Sequence, residues 1–395
     1  MPTVPGIINQ HKVYTHLPLA AMVIAVNTRF LVNELEGCGY FIQGLFKALA
    51  KHHPDHQFYF LFDRPFEEKY VFGANVHPIV ISPAARHPLL WKYWYNVKLP
   101  LALKKIKAEV FISPDGFCSL TTKLPQCLVV HDLGFLHQPG AYKQSHVRFY
   151  RRYTPKFLKK ARSIVTVSNF SKTDIVKHYK TDPGKIEVVY NGVKEIFQPR
   201  SFNDTLLTKE KYTNGREFFI YVGAVQPRKN LLNLLKAFSV FKKRLQSNMK
   251  LVIAGRLAWK NDAFLQLMKT YKYKSDVVLT GYLPEEELAP LLASAYALVY
   301  PSLFEGFGVP VAEAMKCGVP VLTSGKTSME EAAGDAGLYF DPENYQDIAD
   351  KMMLIYKDEN LRKKLIENGK CNAEKYSWEK SAEQFWKAIL KAVEK

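Results

Sequence analysis

Cysteine is scarce in this chain: five residues in 395, with no Cys-x-x-Cys pair. An odd set without that spacing argues against a disulfide frame and for reduced thiols in a cytoplasmic setting, so Cys38, Cys118, Cys127, Cys317 and Cys371 are expected to be packing residues. Long apolar runs are missing too. The stretch from Leu17 to Val26 is shorter than the about 20 residues a bilayer requires, so no membrane-spanning helix is expected. Nowhere is there an Asp-x-Asp, the usual carboxylate pair for holding a divalent cation on a nucleotide, and no P-loop. Gly37 and Gly39 lie about ten residues past their strand and do not make the tight G-x-G-x-x-G turn of a nicotinamide enzyme. His52, His53 and His56 are close in sequence but precede a strand without further ligands, so no metal site is expected there.

What is abundant is positive charge, and it is uneven. The chain carries net +18. Residues 1–195 hold 26 Lys and Arg against 13 Asp and Glu, and residues 196–395 hold 29 against 24, so the first half carries +13 and the second +5. The densest patch runs from Arg148 to Arg162 and mixes cations with aromatics. Such a face suits anionic lipid or a phosphate-bearing acceptor, or is simply solvated; nucleic acid is the less favoured partner.

Apolar runs of three to six residues alternate with amphipathic segments, the signature of βα units around parallel sheets, which makes the chain α/β with two doubly wound domains. Strands are expected at Val23–Val26, Phe58–Phe62, Val76–Ile81, Val110–Ile112, Leu128–Val130, Ile164–Val167 and Ile186–Val189. In the second half they are expected at Phe218–Val222, Leu251–Ala254, Val277–Thr280, Ala297–Tyr300, Val319–Leu322 and Gly337–Phe340. Residues 1–21, with three prolines and no periodicity, read as an extension outside the core, and Met22 as the start of the fold. The polar stretch after Asn191 separates a first domain, 22–195, from a second, 196–375. Residues 376–395 form a helix with Trp378, Ala382, Phe385, Trp386 and Ile389 along one face, which needs a surface to cover and is expected to return to the first domain. Two such domains leave a cleft at the carboxyl ends of both sets of strands, where ligands of these folds bind.

The stretch Glu305-Gly-Phe-Gly-Val-Pro-Val-Ala-Glu313 lies at such an end. Pro310 marks the start of a helix and Gly318 its end, which puts Glu305 in the loop and Glu313 one turn in, leaning back toward it. Both acids are then expected to face one ligand, with the helix-start amides of Gly308 to Val311 offering donors and Gly306 and Gly308 allowing close approach. A first-turn acid complementing the helix dipole is the plainer reading of Glu313. Arg228 and Lys229 precede another helix, where cations oppose the dipole, and an anion between them makes that placement understandable; a diphosphate fits. His131-Asp132 ends a strand of the first half. Asp132 is expected to cap the succeeding turn, and His131 is either a buried imidazole or part of the site. The Gly37-Cys-Gly39 segment reads as a flexible loop before a helix from Tyr40 to Ala50.

Together, Glu305 to Glu313, the Gln-Pro-Arg228-Lys229-Asn motif, His131-Asp132, the Val-Ser-Asn-Phe-Ser run ending at Ser171, and Tyr190-Asn191-Gly192 resemble the retaining GT-B glycosyltransferases of family four, also called group 1. The resemblance extends from about Met22 to the C-terminus and includes a similarity to bacterial surface-polysaccharide mannosyltransferases. It implies transfer of a hexose, mannose favoured, from a GDP- or UDP-sugar to a glycan or lipid-linked acceptor, with configuration retained, no metal and no other cofactor. By that likeness Arg228 and Lys229 hold the diphosphate, Glu305 the donor sugar and Glu313 the ribose. Gly281, Tyr282 and Leu283 meet the base; Gly306, Phe307, Gly308 and Val309 line sugar and phosphate; His131 approaches the reacting sugar from the opposite domain; and Gly39 belongs to a loop that closes over the phosphates. A cytoplasmic enzyme, peripheral on the inner face of the membrane, is the expected setting. Ser328-Met-Glu330-Glu331, where the family commonly has Ser-x-Pro-Glu, and Tyr40, where arginine is frequent, depart from the pattern. A GT-B phosphorylase or epimerase, or a non-catalytic nucleotide-sugar or nucleic-acid binding module, are the alternatives.

Overall fold

A computed structural model describes residues 21–31, 37–85, 87–258 and 261–394. All but one of the residues assigned to the N-terminal extension lie outside these. Each of the thirteen apolar runs coincides with a strand. The first sheet comprises β1 (Val23–Asn27), β2 (Gln57–Phe62), β3 (Val76–Val80), β4 (Val110–Ser113), β5 (Gln126–Val129), β6 (Ser163–Thr166) and β7 (Ile186–Val188), in spatial order β3-β2-β1-β4-β5-β6-β7. The second comprises β8 (Phe218–Val222), β9 (Lys250–Ala254), β10 (Val277–Gly281), β11 (Ala297–Tyr300), β12 (Val321–Ser324) and β13 (Gly337–Phe340), ordered β10-β9-β8-β11-β12-β13. Every pairing in both sheets is parallel. Strands covered by helices on both faces lose their period-two pattern, and β4, β5, β6, β8, β11 and β12 are buried at every position.

In each sheet the chain order reverses at the middle, between β1 and β4 in the first and between β8 and β11 in the second. Helices leave the two strands of such a pair toward opposite faces, which opens a crevice at their carboxyl ends. Arg228 and Lys229 follow β8, and Glu305 follows β11, so they flank the second crevice. His131 and Asp132 follow β5, next to the first.

Two local expectations shift. β12 starts at Val321 instead of Val319, because Gly318 is left-handed (φ 73°) and Pro320 has no N–H to donate. Gly37 and Gly39 do not form a loop: they occupy the first turn of the helix Gly37–His52. Glycine costs a helix about 1 kcal/mol. Here the cost is offset by the helix burying Phe41, Ile42, Leu45, Phe46 and Leu49 against the core.

The C-terminal helix, Trp378–Val393, crosses back to that first-domain helix. Phe385 lies edge-on to Phe46 and Phe41, Trp386 stacks on His53 at 3.7 Å, and Ser163 Oγ donates to the Ala388 carbonyl. His56 accepts the Met22 amide through Nδ1. His53 and His56 thus serve packing, while His52 is exposed. Gly44 and Gly192 are glycine because Trp378 fills the space of any Cβ, at 2.1 and 2.6 Å.

Candidate functional site

The end of β8 turns through a short 3-10 segment, Pro227–Lys229, into the helix Leu231–Leu245. Asn230, left-handed at the junction, anchors the turn by donating to the carbonyls of Pro301 and Pro342. The backbone of Leu303 donates to the Arg228 carbonyl, so the β11 loop and the β8 turn are stitched together. That stitching brings three ionic side chains into one cluster. Glu305 Oε2 lies 2.9 Å from Arg228 Nη1, and Glu305 Oε1 lies 2.7 Å from Lys229 Nζ. Arg228 also donates to the Phe304 carbonyl, and Lys229 donates to Tyr300 OH with its ammonium 4.9 Å from that ring. Ser302 Oγ completes the shell of Glu305.

The electrostatics follow from burial. Burial disfavours the charged form of Glu305, but Arg228 and Lys229 outweigh it and hold the carboxyl at about 2. Burial likewise pulls Lys229 down, opposed by Glu305, while Glu305 and Asp132 overcome burial to raise Arg228. With all three ionised the cluster carries one net positive charge. The anion that the helix dipole calls for between Arg228 and Lys229 is therefore present as Glu305, and the dipole alone does not require a diphosphate. A ligand anion would be met by the surplus charge.

Glu313 is elsewhere. It sits in the helix Val309–Lys316, where burial and the carboxylate of Glu285 push it up to about 8 against the pull of Lys194. Glu305 and Glu313 thus have different protein partners, Arg228 and Lys229 for the first and Glu285 and Lys194 for the second. Lys194 bridges Glu285 at 2.6 Å and Gln43 at 2.9 Å and lies over the Tyr40 ring at 4.7 Å. Burial raises the Tyr40 hydroxyl, with the neighbouring Glu285 and Tyr282 acting in the same direction. Gly281 ends β10 with φ 73° and open space around its α-carbon, and Tyr282 is half exposed beyond it, next to Leu283. Gly281, Tyr282 and Leu283 thus flank the Glu313 neighbourhood through Tyr40 and not the Glu305 cluster.

Between the clusters runs the loop Gly306-Phe307-Gly308. The amides of Phe307, Gly308 and Val309 have no protein acceptor among the described residues, while that of Val311 donates to the Gly308 carbonyl. Gly308 needs its left-handed φ of 97°, and a Cβ there would press on Met329 at 2.9 Å. Gly306 is small for a different reason than ligand approach: a Cβ would lie 2.5 Å from the His131 carbonyl of the first domain. Ser168 Oγ, at 2.7 Å, and Ser171 Oγ donate to the Gly306 carbonyl from that same side.

His131 is half-buried, with Nε2 2.9 Å from the Pro114 carbonyl and its ring edge-on to Phe41; desolvation lowers its basicity. Neutral imidazole is thus its resting form. Asp132 Oδ1 caps the next turn by accepting the Gly134 amide at 2.7 Å. Gly39 lies in the first turn of the helix that carries Tyr40 and Phe41.

Sequence reasoning missed Glu331. Its carboxylate reaches across the cleft and accepts the amides of Asn169 and Phe170 and the hydroxyl of Tyr190, capping the helix Asn169–Tyr179 from the other domain. A carboxylate at a helix N-terminus is favourable by charge as well as by hydrogen bonding. Glu331 belongs to the segment that departs from the family pattern, and nothing in its local spacing signals a partner over 160 positions away.

From an ordinary value of 4.5, the folded chain holds the Glu313 proton up to about 8, so the ligand-free fold loses stability as pH rises from about 4.5 through 8. The ionised carboxylate is the stronger acceptor, so with Glu313 on ribose hydroxyls, as the resemblance implies, nucleotide-sugar affinity is expected to rise several-fold between pH 7 and 9. Isothermal titration at each pH measures it; a flat profile in the native chain, or a slope surviving in Glu313→Gln, contradicts the assignment.

Two family models match: glycosyltransferase Family 4 over residues 35–195 and glycosyl transferases group 1 over residues 203–371. O-antigen chain mannosyltransferase B of Escherichia coli is 29% identical over 323 residues, 80% of this chain and 84% of that protein. O-antigen chain mannosyltransferase RfbU of Salmonella typhimurium is 29% identical over 287 residues, 70% and 74% of the two chains. Among solved structures, a sucrose-phosphate synthase of Thermosynechococcus elongatus superposes with a TM-score of 0.77 at 18% identity, covering 93% of this chain and 98% of that one.

Proposed function

The chain belongs to the glycosyltransferases of family 4 and group 1 and has the GT-B fold, and from that premise we propose that it moves mannose from a nucleotide diphosphate sugar to a glycan or lipid-linked acceptor during surface-polysaccharide assembly, retaining configuration and using no metal. The observation that carries this reading is the Arg228–Lys229–Glu305 cluster, with its surplus positive charge at the second-domain crevice and His131-Asp132 opposite. The names of the O-antigen relatives favour mannose.

The costly event is departure of the nucleoside diphosphate while positive charge builds on the anomeric carbon. Donors fixed in advance and aimed at the leaving charge are worth most in such a step. Arg228 and Lys229 supply them, with Glu305 holding both cations in place at its carboxylate and meeting donor-sugar hydroxyls at its edge. The free amides of Phe307, Gly308 and Val309 offer three further donors to sugar and phosphate. Glu313 takes the ribose, and Gly281, Tyr282 and Leu283 frame the base. Neutral His131 presents no competing charge to the reacting sugar, and no side chain need act as nucleophile. Incubation of the enzyme with GDP-mannose, then UDP- and ADP-sugars, in excess chelator and with a mannose-terminated acceptor tests the reading. Full turnover with an α-linked product is expected; loss of turnover in chelator, restored by a divalent ion, overturns metal independence.

The first domain supports the membrane side of the proposal, though not through the patch that stands out in sequence. In the helix Gln144–Lys160 the aromatics Phe149 and Phe157 point into the core while Arg148, Arg151, Arg152 and Lys156 point out. The lipid-facing candidates are the neighbouring segments from Pro88 to Lys105, where Leu89 is 67% and Leu101 63% exposed, with Tyr93 and Val97 between them at helical spacing and Lys92, Lys104 and Lys105 at the margins. Lys92 lies over the Tyr153 ring, which joins the apolar row to the basic helix. No helix among the described residues is long and apolar enough to cross a membrane. An apolar row rimmed by cations fits the surface of an anionic bilayer. Sedimentation with phosphatidylglycerol vesicles at low salt is expected, weakening with ionic strength and lost in a Leu89→Asp, Leu101→Asp double variant. Equal binding by that variant removes the surface from consideration.

A further inference from the structure

Away from the sugar-nucleotide crevice, two helices of the first domain aim two imidazoles at one carboxylate. His137 ends the short helix Gly134–His137, and Asp174 and His178 lie one turn apart on the helix Asn169–Tyr179. His137 Nε2 is 2.8 and 3.0 Å from the two oxygens of Asp174, and His178 Nε2 is 3.3 Å from Asp174 Oδ1. All three ligand atoms lie within 4.8 Å of one another. Asp174 is buried at the base, while both histidine side chains are about one-third exposed.

We propose that His137, Asp174 and His178 form a binding site for one divalent transition-metal ion of the zinc class, separate from the donor site. Imidazole and carboxylate bound at about 2.0–2.2 Å around a tetrahedral ion stand about 3.4 Å apart, and the observed spacings bracket that value. Residues four apart on a helix present their ligand atoms on one side, as paired helical ligands of zinc do. The set is two nitrogens and one oxygen, which suits zinc, copper or nickel better than magnesium or calcium. Exposure of both rings leaves a fourth position to water. The alternative occupant of the gap is protons alone, with each Nε2 donating to Asp174.

The position gives the site reach. The His137 ring stacks on Phe304 of the second domain at 4.6 Å and 18° between planes, and the Phe304 carbonyl receives the Arg228 guanidinium. An ion at Nε2 ties the two first-domain helices together and fixes the ring on which the donor-site loop rests. It takes no part in the transfer step, so chelator-resistant turnover and metal binding here are compatible.

Titration calorimetry of the full chain, freed of metal by chelator and dialysis, tests this with Zn2+ alone. One equivalent is expected to bind, raising the melting temperature, since an ion that binds only the folded state stabilises it. Co2+ is expected to give a visible d–d absorption band in the native chain. His178→Ala, an exposed side chain in a last helical turn, is expected to weaken Zn2+ binding at least about tenfold and abolish the band while melting like the native chain without metal. His52→Ala, at an exposed histidine outside the cluster, serves as control and should bind Zn2+ normally. Absence of Zn2+ binding by the native chain, undiminished binding by His178→Ala, or loss of binding in His52→Ala would each overturn the proposal.

Discussion

Replacing Arg228 with alanine is expected to lower kcat by about 10² to 10³, the effect of removing one fixed donor from a developing anion. Turnover and kcat/KM should fall together, because the contact strengthens as the diphosphate leaves. The fold should survive. Without Arg228, Glu305 still faces Lys229 at 2.7 Å with Ser302 at its side, a neutral and hydrogen-bonded pair. Single-turnover kinetics with labelled donor, set beside a thermal melt, separates the two effects. A rate within tenfold of native, with the melt unchanged, would show that the diphosphate is held elsewhere.

Much of this architecture is legible in the sequence because each parallel strand, buried on both faces, must be a continuous apolar run. Phe218–Val222 and Ala297–Tyr300 are such runs, and their ends locate Arg228 and Glu305 before any coordinates are known. What spacing does not carry is pairing. Glu305 and Lys229 are 76 positions apart, and only the order β8 next to β11 brings them together. Hence a cation pair at a helix start reads as a ligand site when half of its charge is already answered within the protein. Glycine is ambiguous in a similar way: at Gly306 the close neighbour is the opposite domain, since a missing side chain records only that something comes near, not what. In the basic helix the composition mixes cations with aromatics, and only the spacing sorts them. Phe149, Tyr153 and Phe157 recur every four residues, a core-facing stripe that places the cations on the outer face.

The same cluster sets the largest expected change in stability. Glu305→Ala removes the only carboxylate, among the described residues, in contact with both cations and leaves Arg228 and Lys229 side by side in a buried site. Breaking a buried pair by deleting one partner costs about 3–5 kcal/mol, because the remaining charge has lost its solvent and its counter-ion together. Here two cations share the loss, and Lys229, already pulled down by burial, is expected to shed its proton to relieve part of it. Arg228 has no such escape and keeps only the Phe304 carbonyl and the more distant Asp132. The vacancy is then an anion site of higher affinity than the native one. GDP should therefore raise the melting temperature of Glu305→Ala more than that of the native chain, although the variant does not turn over. Urea denaturation with and without GDP measures both quantities. A variant as stable as native contradicts the charge balance assigned to the cluster, and equal stabilisation by GDP contradicts its contact with the diphosphate.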